Sequence, residues 1–424
     1  MTRVTIDNAG PEDPGTAEEQ LAAGPDAYPV RRSTARRSLA TRAVHTAVPT
    51  DVQGRPVSVP IYQTTVFAHD DPDLLTDSLD NPRGAFGYSR MANPTVRALE
   101  TSVAGLENAV GAVATSSGMG AIHTALGANL AAGGHLVVQS SIYGGTTGLL
   151  SDLSQRWGIR ITQVSGDRPD QLEAALQPDT RAVYLETISN PVTAVADLPA
   201  MCAVASRHGV ISVVDNTFAS PLLCRPLDLG ADICLHSATK YLGGHSDVTA
   251  GVVTYADGAL FEAGWKFAVA TGVTPDPFGA WLVIRGLQTL PLRIRAATDN
   301  ATELAARLAA HPAVSTVHHP SRPNHPQHQL ATSMLDGYGP MLSFDVSGGK
   351  PAAQAVIGRL RLLQNATSLG GVESLAMHPA STSHRHYDAA ALRSAGIADG
   401  TVRISTGVED VEDLWADLSD ALDG

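Results

Sequence analysis

Amine chemistry in this sequence has three places to occur. Lys240, Lys266 and Lys350 are the only lysines among 29 basic residues, and the arginines that make up the rest stay protonated. Lys240 has the informative neighbours. It closes ICLHSATK (233–240), behind Ser237 and Thr239, whose hydroxyls can donate to a phosphate. A lysine on the floor of an apolar cleft has its pKa lowered by desolvation and can carry a Schiff base. Upstream, the apolar run ISVVD (211–215) ends in Asp215. A carboxylate opposite the lysine can hold a pyridinium nitrogen protonated, the condition under which pyridoxal phosphate acts as an electron sink. A strand-capping Asp and a surface Lys are the alternative for this pair. In SSGMGAIHTAL (116–126), Gly118 and Met119 open an apolar helix whose free N–H groups suit a phosphate. SSIYGGTTGLL (140–150) places Tyr143 after another apolar run, where an aromatic ring stacks on a flat cofactor or packs in the core.

These residues need a sheet to bring them together. The runs AVA (112–114), HLVVQ (135–139), RITQV (160–164), RAVYLE (181–186), ISVVD (211–215), ADICLH (231–236) and TAGVVTY (249–255) predict strands. Helical patterns such as PDQLEAAL (169–176) and LPAMCAVASRHG (198–209) fill most of the gaps. Alternation with near-continuously apolar strands predicts an α/β fold with a mostly parallel central sheet covered on both faces. Ligands then sit beyond the carboxyl ends of the strands, where Asp215, Lys240 and Tyr143 fall. A long helical stretch from WLVIRGLQTL (281–290) to TELAARLAA (302–310) precedes PMLSFDV (340–346), TVRIST (401–406) and the terminal helix VEDLWADLSDAL (411–422), which predict a smaller C-terminal α+β domain. The tract HHPSRPNHPQH (318–328) reads as a solvated loop rather than a metal site, because its prolines and irregular spacing suit no ligand set.

Composition bounds the partners. Of 424 residues 43% are hydrophobic and 17% charged, ordinary for a chain that buries a core. The net charge of −13 argues against nucleic acid, whose phosphates an acidic surface repels. No apolar run is long enough to span a membrane. The arginine pairs at 31–32 and 36–37 are followed by no apolar export segment. Cys202, Cys224 and Cys234 are too few and too irregularly spaced for a disulfide framework or a metal knuckle, and predict free thiols in a reducing cytoplasm. The expected layout is a disordered leader over 1–40, an N-terminal arm over 41–65, a large domain over 66–290 and a small one over 291–424.

Read in order, YSRMANPT (88–95), SSGMGAI (116–122), IYGG (142–145), VVDNTFASPLLCRPLDLGAD (213–232), HSATKYLGGHSDVTAG (236–251), SLGGVESLAMHPAST (368–382) and VRISTGVED (402–410) resemble the trans-sulfuration (Cys/Met metabolism) family of pyridoxal-phosphate enzymes. That family includes cystathionine γ-synthase, cystathionine γ-lyase, methionine γ-lyase and O-acylhomoserine sulfhydrylase. The resemblance covers about residues 40–424.

It implies the aspartate-aminotransferase-like fold (PLP fold type I) and γ-elimination or γ-replacement on sulfur-containing or O-acylhomoserine amino acids. It also implies pyridoxal 5'-phosphate on Lys240, with Asp215 at the ring nitrogen and Tyr143 stacked on the ring and assisting proton transfer. Gly118, Met119, Ser237 and Thr239 should cradle the phosphate. Arg403 should clamp the substrate carboxylate, helped by Asn190 and Ser368. Tyr88 and Arg90 should reach the phosphate of a neighbouring subunit, the 41–65 arm should contact that neighbour, and the assembly should be a tetramer built from two dimers. Gly145 stands where methionine γ-lyases typically carry cysteine, and Glu373 matches enzymes that handle cystathionine, whose distal ammonium it can pair. Thr367 stands where many γ-synthases have Glu, while HPAST (378–382) leans toward lyases and sulfhydrylases. A catalytically silent cofactor-binding paralogue is the alternative of another class, against which the intact Lys240, Asp215 and Arg403 stand.

Overall fold

The computed structural model describes residues 37–45, 56–81 and 84–424. Of the leader expected over 1–40, only residues 37–40 fall within that description, and Leu39 already opens the short helix Leu39–Val44, N-capped by Ser38. That helix lies on its own chain, burying Ala43, while Arg42 donates to the Gly105 carbonyl and to Asn108. The extended segment after residue 56 is stapled to the helix Pro94–Glu107. There Thr95 donates to the Pro60 carbonyl and accepts from the Tyr62 amide, and Asn93 donates to the Tyr62 carbonyl.

Seven strands form the larger sheet: β1 (Gly111–Thr115), β2 (His135–Gln139), β3 (Arg160–Val164), β4 (Thr180–Glu186), β5 (Ile211–Asp215), β6 (Ile233–His236) and β7 (Gly251–Tyr255). Their order is β1-β7-β6-β5-β4-β2-β3. β7 runs antiparallel to both neighbours, and the remaining pairs are parallel. Alternate residues enter cores on opposite faces, Val214 and Val252 into one, Val213 and Val253 into the other, which is why these strands read as unbroken apolar runs.

The second sheet contains β8 (Val314–His318), β9 (Met341–Val346), β10 (Gln364–Asn365), β11 (Leu375–Met377) and β12 (Thr401–Ser405) in the order β10-β11-β12-β9-β8. The fold is therefore mixed α/β with a mostly parallel sheet and a smaller second domain, as expected. The long helical stretch is instead two helices, Pro277–Leu287 and Leu290–Ala310. Pro291 has no amide to donate to the Leu287 carbonyl, and buried Arg293 donates to the Gly286 carbonyl at 2.7 Å. The second helix serves both domains, with Leu290 and Ile294 in a large-sheet core and Leu304 and Leu308 in the small-sheet core.

The histidine tract departs from the expected solvated loop. His319 and His325 are buried, and His319 hydrogen-bonds the Gly339 carbonyl and Ser321. Burial pushes both imidazoles down to about 4, so they are neutral packing groups. Prolines set the turns that let these rings pack inward, something their solvent-like spacing conceals. Among the described residues no helix is long and apolar enough to cross a membrane.

Candidate active site

The carboxyl ends of β4, β5 and β6 converge on one crevice between the sheets. Ser237, Ala238, Thr239 and Lys240 form the turn after β6, closed by the Lys240 amide donating to the Ser237 carbonyl at 3.1 Å. Among the described residues the Lys240 ammonium meets no carboxylate; it donates to the Ser368 hydroxyl at 2.6 Å. Desolvation, then the cationic Arg403, lower its pKa to about 8. A substantial neutral fraction near pH 8 is what a nucleophilic or basic amine requires.

Asp215 ends β5. It accepts from the Thr217 amide at 3.0 Å and from the Tyr184 hydroxyl at 3.2 Å. Burial holds its carboxyl above the usual range, opposed by the Thr217 hydrogen bonds and by His236. Beneath it, on the other face of the sheet, a buried network ties the strand ends together. His236 hydrogen-bonds Glu107 at 2.6 Å, Asn216 donates to Glu107 at 3.1 Å, and Thr187 donates to Asn216 at 2.7 Å. Glu107, Cys234 and His236 form the one His/Cys/acid cluster of metal-like spacing among the described residues, and the direct Glu107–His236 bond accounts for it.

The helix Gly118–Gly127 starts beside this crevice, capped by the Ser117 hydroxyl on the Gly120 amide at 3.0 Å. Its first amides, Gly118 and Met119, have no partner within helix geometry. A Cβ at Gly118 would lie 2.6 Å from that of Ser237, so glycine is what lets this helix end approach the lysine turn. The Thr239 hydroxyl is committed to Ala250, accepting its amide and donating to its carbonyl. Tyr143 occupies the N-cap position of the helix Gly144–Trp157 and is 43% exposed. A Cβ at Gly145 would run into that ring.

The small domain contributes Arg403 from the middle of β12. It is 3% exposed, donating to Asn190 Oδ1 at 3.1 Å and to the Ser368 carbonyl at 2.7 Å. Its Nε has no partner, and no carboxylate pairs with it among the described residues. Burial lowers its pKa to about 10, which leaves it a full cation. Ser368, at φ +81°, serves both sides, its hydroxyl on Lys240 and its carbonyl on Arg403.

Two sets of expected residues take other hydrogen-bond partners. Glu373 accepts the Ser246 hydroxyl from the loop beyond the lysine turn. Tyr88 and Arg90 line a separate open cavity of ≈ 390 Å³ with Gln63, Thr274 and Asp276. Arg90 lies 5.5 Å over the Tyr88 ring and donates to the Val269 carbonyl. Sequence reasoning overlooked Glu186, Tyr184 and Thr217. Glu186 carried the same signal as Asp215, a carboxylate closing an apolar strand.

The geometry fits pyridoxal phosphate. Asp215 has no Lys or Arg on it among the described residues, a place for a cationic ring nitrogen. Tyr143 offers a ring face, the helix start with Ser237 offers a phosphate cradle, and Lys240 offers a free amine.

The profile of the Cys/Met metabolism PLP-dependent enzyme family matches residues 40–423. The chain is 42% identical over 383 residues to cystathionine gamma-synthase of Mycobacterium tuberculosis (strain ATCC 25618 / H37Rv), covering 90% of this chain and 96% of that one. It is 42% identical to cystathionine gamma-lyase of Bacillus subtilis (strain 168), covering 90% and 98%. L-methionine gamma-lyase of Porphyromonas gingivalis is 40% identical over 392 residues, covering 92% and 98%. Among solved structures, cystathionine gamma synthase from Xanthomonas oryzae pv. oryzae in complex with aminoacrylate and cysteine superposes with a TM-score of 0.86 at 40% identity, covering 91% and 98%.

Proposed function

This chain belongs to the Cys/Met metabolism PLP-dependent enzymes, and from that premise we propose that it catalyses γ-elimination or γ-replacement with cystathionine as substrate or product. The observation that carries the reading is the buried Arg403 cation, which has no acid partner among the described residues and is joined through Ser368 to the amine of Lys240.

The bound cofactor supplies an electron sink for the charge left on the substrate when its Cα proton departs. The residues do the rest. Arg403 grips the substrate α-carboxylate through its planar fork, and Asn190 and the Ser368 carbonyl fix the orientation of that fork. This sets Cα at a constant distance from Lys240, whose neutral amine takes the proton while Ser368 steers it. Lys240 then carries protons between Cα, Cβ and the leaving group. Tyr143 covers the exposed side and assists that transfer, and Asp215 keeps the ring nitrogen protonated. Gly118, Met119, Ser237 and Thr239 hold the phosphate, with Thr239 giving up its bond to the Ala250 carbonyl to donate.

Gly145 and Glu373 set the substrate. A side chain at 145 would press on the Tyr143 ring, whereas glycine leaves that ring where it lies. Glu373 supplies a carboxylate for the distal ammonium of cystathionine. A charge-assisted hydrogen bond of this kind is worth about 1.5–3 kcal/mol, roughly ten- to a hundredfold in selectivity. The expected result of a substrate panel read by product mass spectrometry is therefore a higher kcat/KM for cystathionine than for methionine, with the preference eroded in Glu373→Gln. A wild type that prefers methionine, with the mutant unchanged, leaves Glu373 as a loop-ordering partner of Ser246 and refutes the cystathionine reading.

The same reading includes an assembly of two dimers in the reducing cytoplasm, with a phosphate site completed by Tyr88 and Arg90 of a neighbour. Their position on a cleft away from Lys240 supports this. Mixing an inactive Tyr88→Phe/Arg90→Ala chain with an inactive Lys240→Ala chain should restore part of the activity, because each hybrid dimer holds one site free of both lesions. Verified hybrids without activity would place the Tyr88 loop in its own subunit's chemistry.

A further inference from the structure

Glu186 is 4% exposed and has no Lys or Arg partner among the described residues. Burial, then the neighbouring Asp215, push its carboxyl well above the ordinary range. An apolar side chain would fill this end of β4 without that desolvation cost. Its hydrogen bond identifies what the carboxyl does instead. It accepts the Tyr143 amide at 2.6 Å. Tyr143 occupies the N-cap position of the helix Gly144–Trp157 and makes no side-chain cap bond of its own, so Glu186 holds the backbone from which the ring projects. In register beside Glu186 stands Asp215.

We propose that Glu186 is a positioning residue that fixes the Tyr143 ring relative to Asp215, so that the ring face and the ring nitrogen share one frame. It does not touch the substrate; it acts through the backbone segment it accepts from. The inference rests on the proposed roles of Tyr143 and Asp215.

Glu186→Gln keeps the acceptor and the volume, and Glu186→Leu removes the acceptor. In the cofactor-loaded enzyme, Glu186→Leu should unfold thermally at or above the wild-type temperature. Its KM should rise about tenfold or more, with a smaller change in kcat, because the Tyr143 amide has lost its acceptor. The circular dichroism of its cofactor band should change as the Tyr143 ring reorients. Glu186→Gln should match wild type in KM and in that band. A tenfold rise of KM in Glu186→Gln, or a wild-type KM and band in Glu186→Leu, overturns the proposal. Should Glu186→Leu fail to fold, the Gln variant alone still decides it. Failure of the underlying reading appears elsewhere, as a wild-type protein whose amine at position 240 carries no cofactor.

Discussion

Lys240→Ala is expected to abolish turnover and to leave no lysine on which borohydride fixes the cofactor. In the wild type, reduction followed by peptide mapping should find the pyridoxyl group on Lys240 alone. Lys266 is exposed and paired with Glu262, and neither it nor Lys350 lies near Ser237 and Thr239. The variant loses both the covalent anchor and the proton carrier, so kcat should fall by ~10⁴ or more. The cofactor-free wild type adds a pH signature. Only the neutral amine attacks an aldehyde, and Lys240 is lowered to about 8. Capture of pyridoxal phosphate should therefore quicken with rising pH up to about 8 and then level off. A pyridoxyl group on Lys266 or Lys350, or capture that is flat across this range, would falsify the assignment.

Arg403→Leu is expected to raise KM for every α-amino acid substrate together, lowering kcat/KM by ~100-fold or more. Truncating one partner of a buried, hydrogen-bonded charge pair costs about 3 kcal/mol or more. Stability should move the other way or not at all. Among the described residues no acid pairs with this desolvated guanidinium, so replacing it with an apolar side chain removes a cost. Arg403→Lys should fall between, because it keeps the charge and loses the fork. A kcat/KM within threefold of wild type in Arg403→Leu would remove the clamp from the mechanism.

Much of this site was readable because one physical rule covers it. Side chains at the carboxyl ends of apolar strands face the ligand crevice, and Asp215 and the lysine turn announce themselves in that way. Gly118 was legible as a turn glycine, and its contact with Ser237 supplies the steric reason. Arg403 is different. It lies in the middle of a short strand in another sheet, and nothing local says that its guanidinium turns toward Lys240; the resemblance supplied the role. Glu186 was missed although its position matched that of Asp215, because its partner is a backbone amide, which leaves no trace in side-chain spacing. In the fold, the helix break at Gln288 and Thr289 follows from Pro291 and was still passed over, since apolar periodicity persists on both sides. The histidine tract failed for the opposite reason, since proline-rich spacing hides rings that pack against Tyr338 and the chain around Gly339.

Ser368 joins an amine to a guanidinium, and that junction makes proton affinity depend on occupancy. Arg403 is one of the two causes that lower Lys240. A substrate carboxylate docked on Arg403 cancels much of that field, so the affinity of Lys240 for a proton rises when a substrate is present to surrender one. By reciprocity, a protonated Lys240 strengthens the hold of the cleft on the carboxylate. An empty cleft thus keeps its amine disposed to shed protons, and a filled one disposes the same amine to accept them.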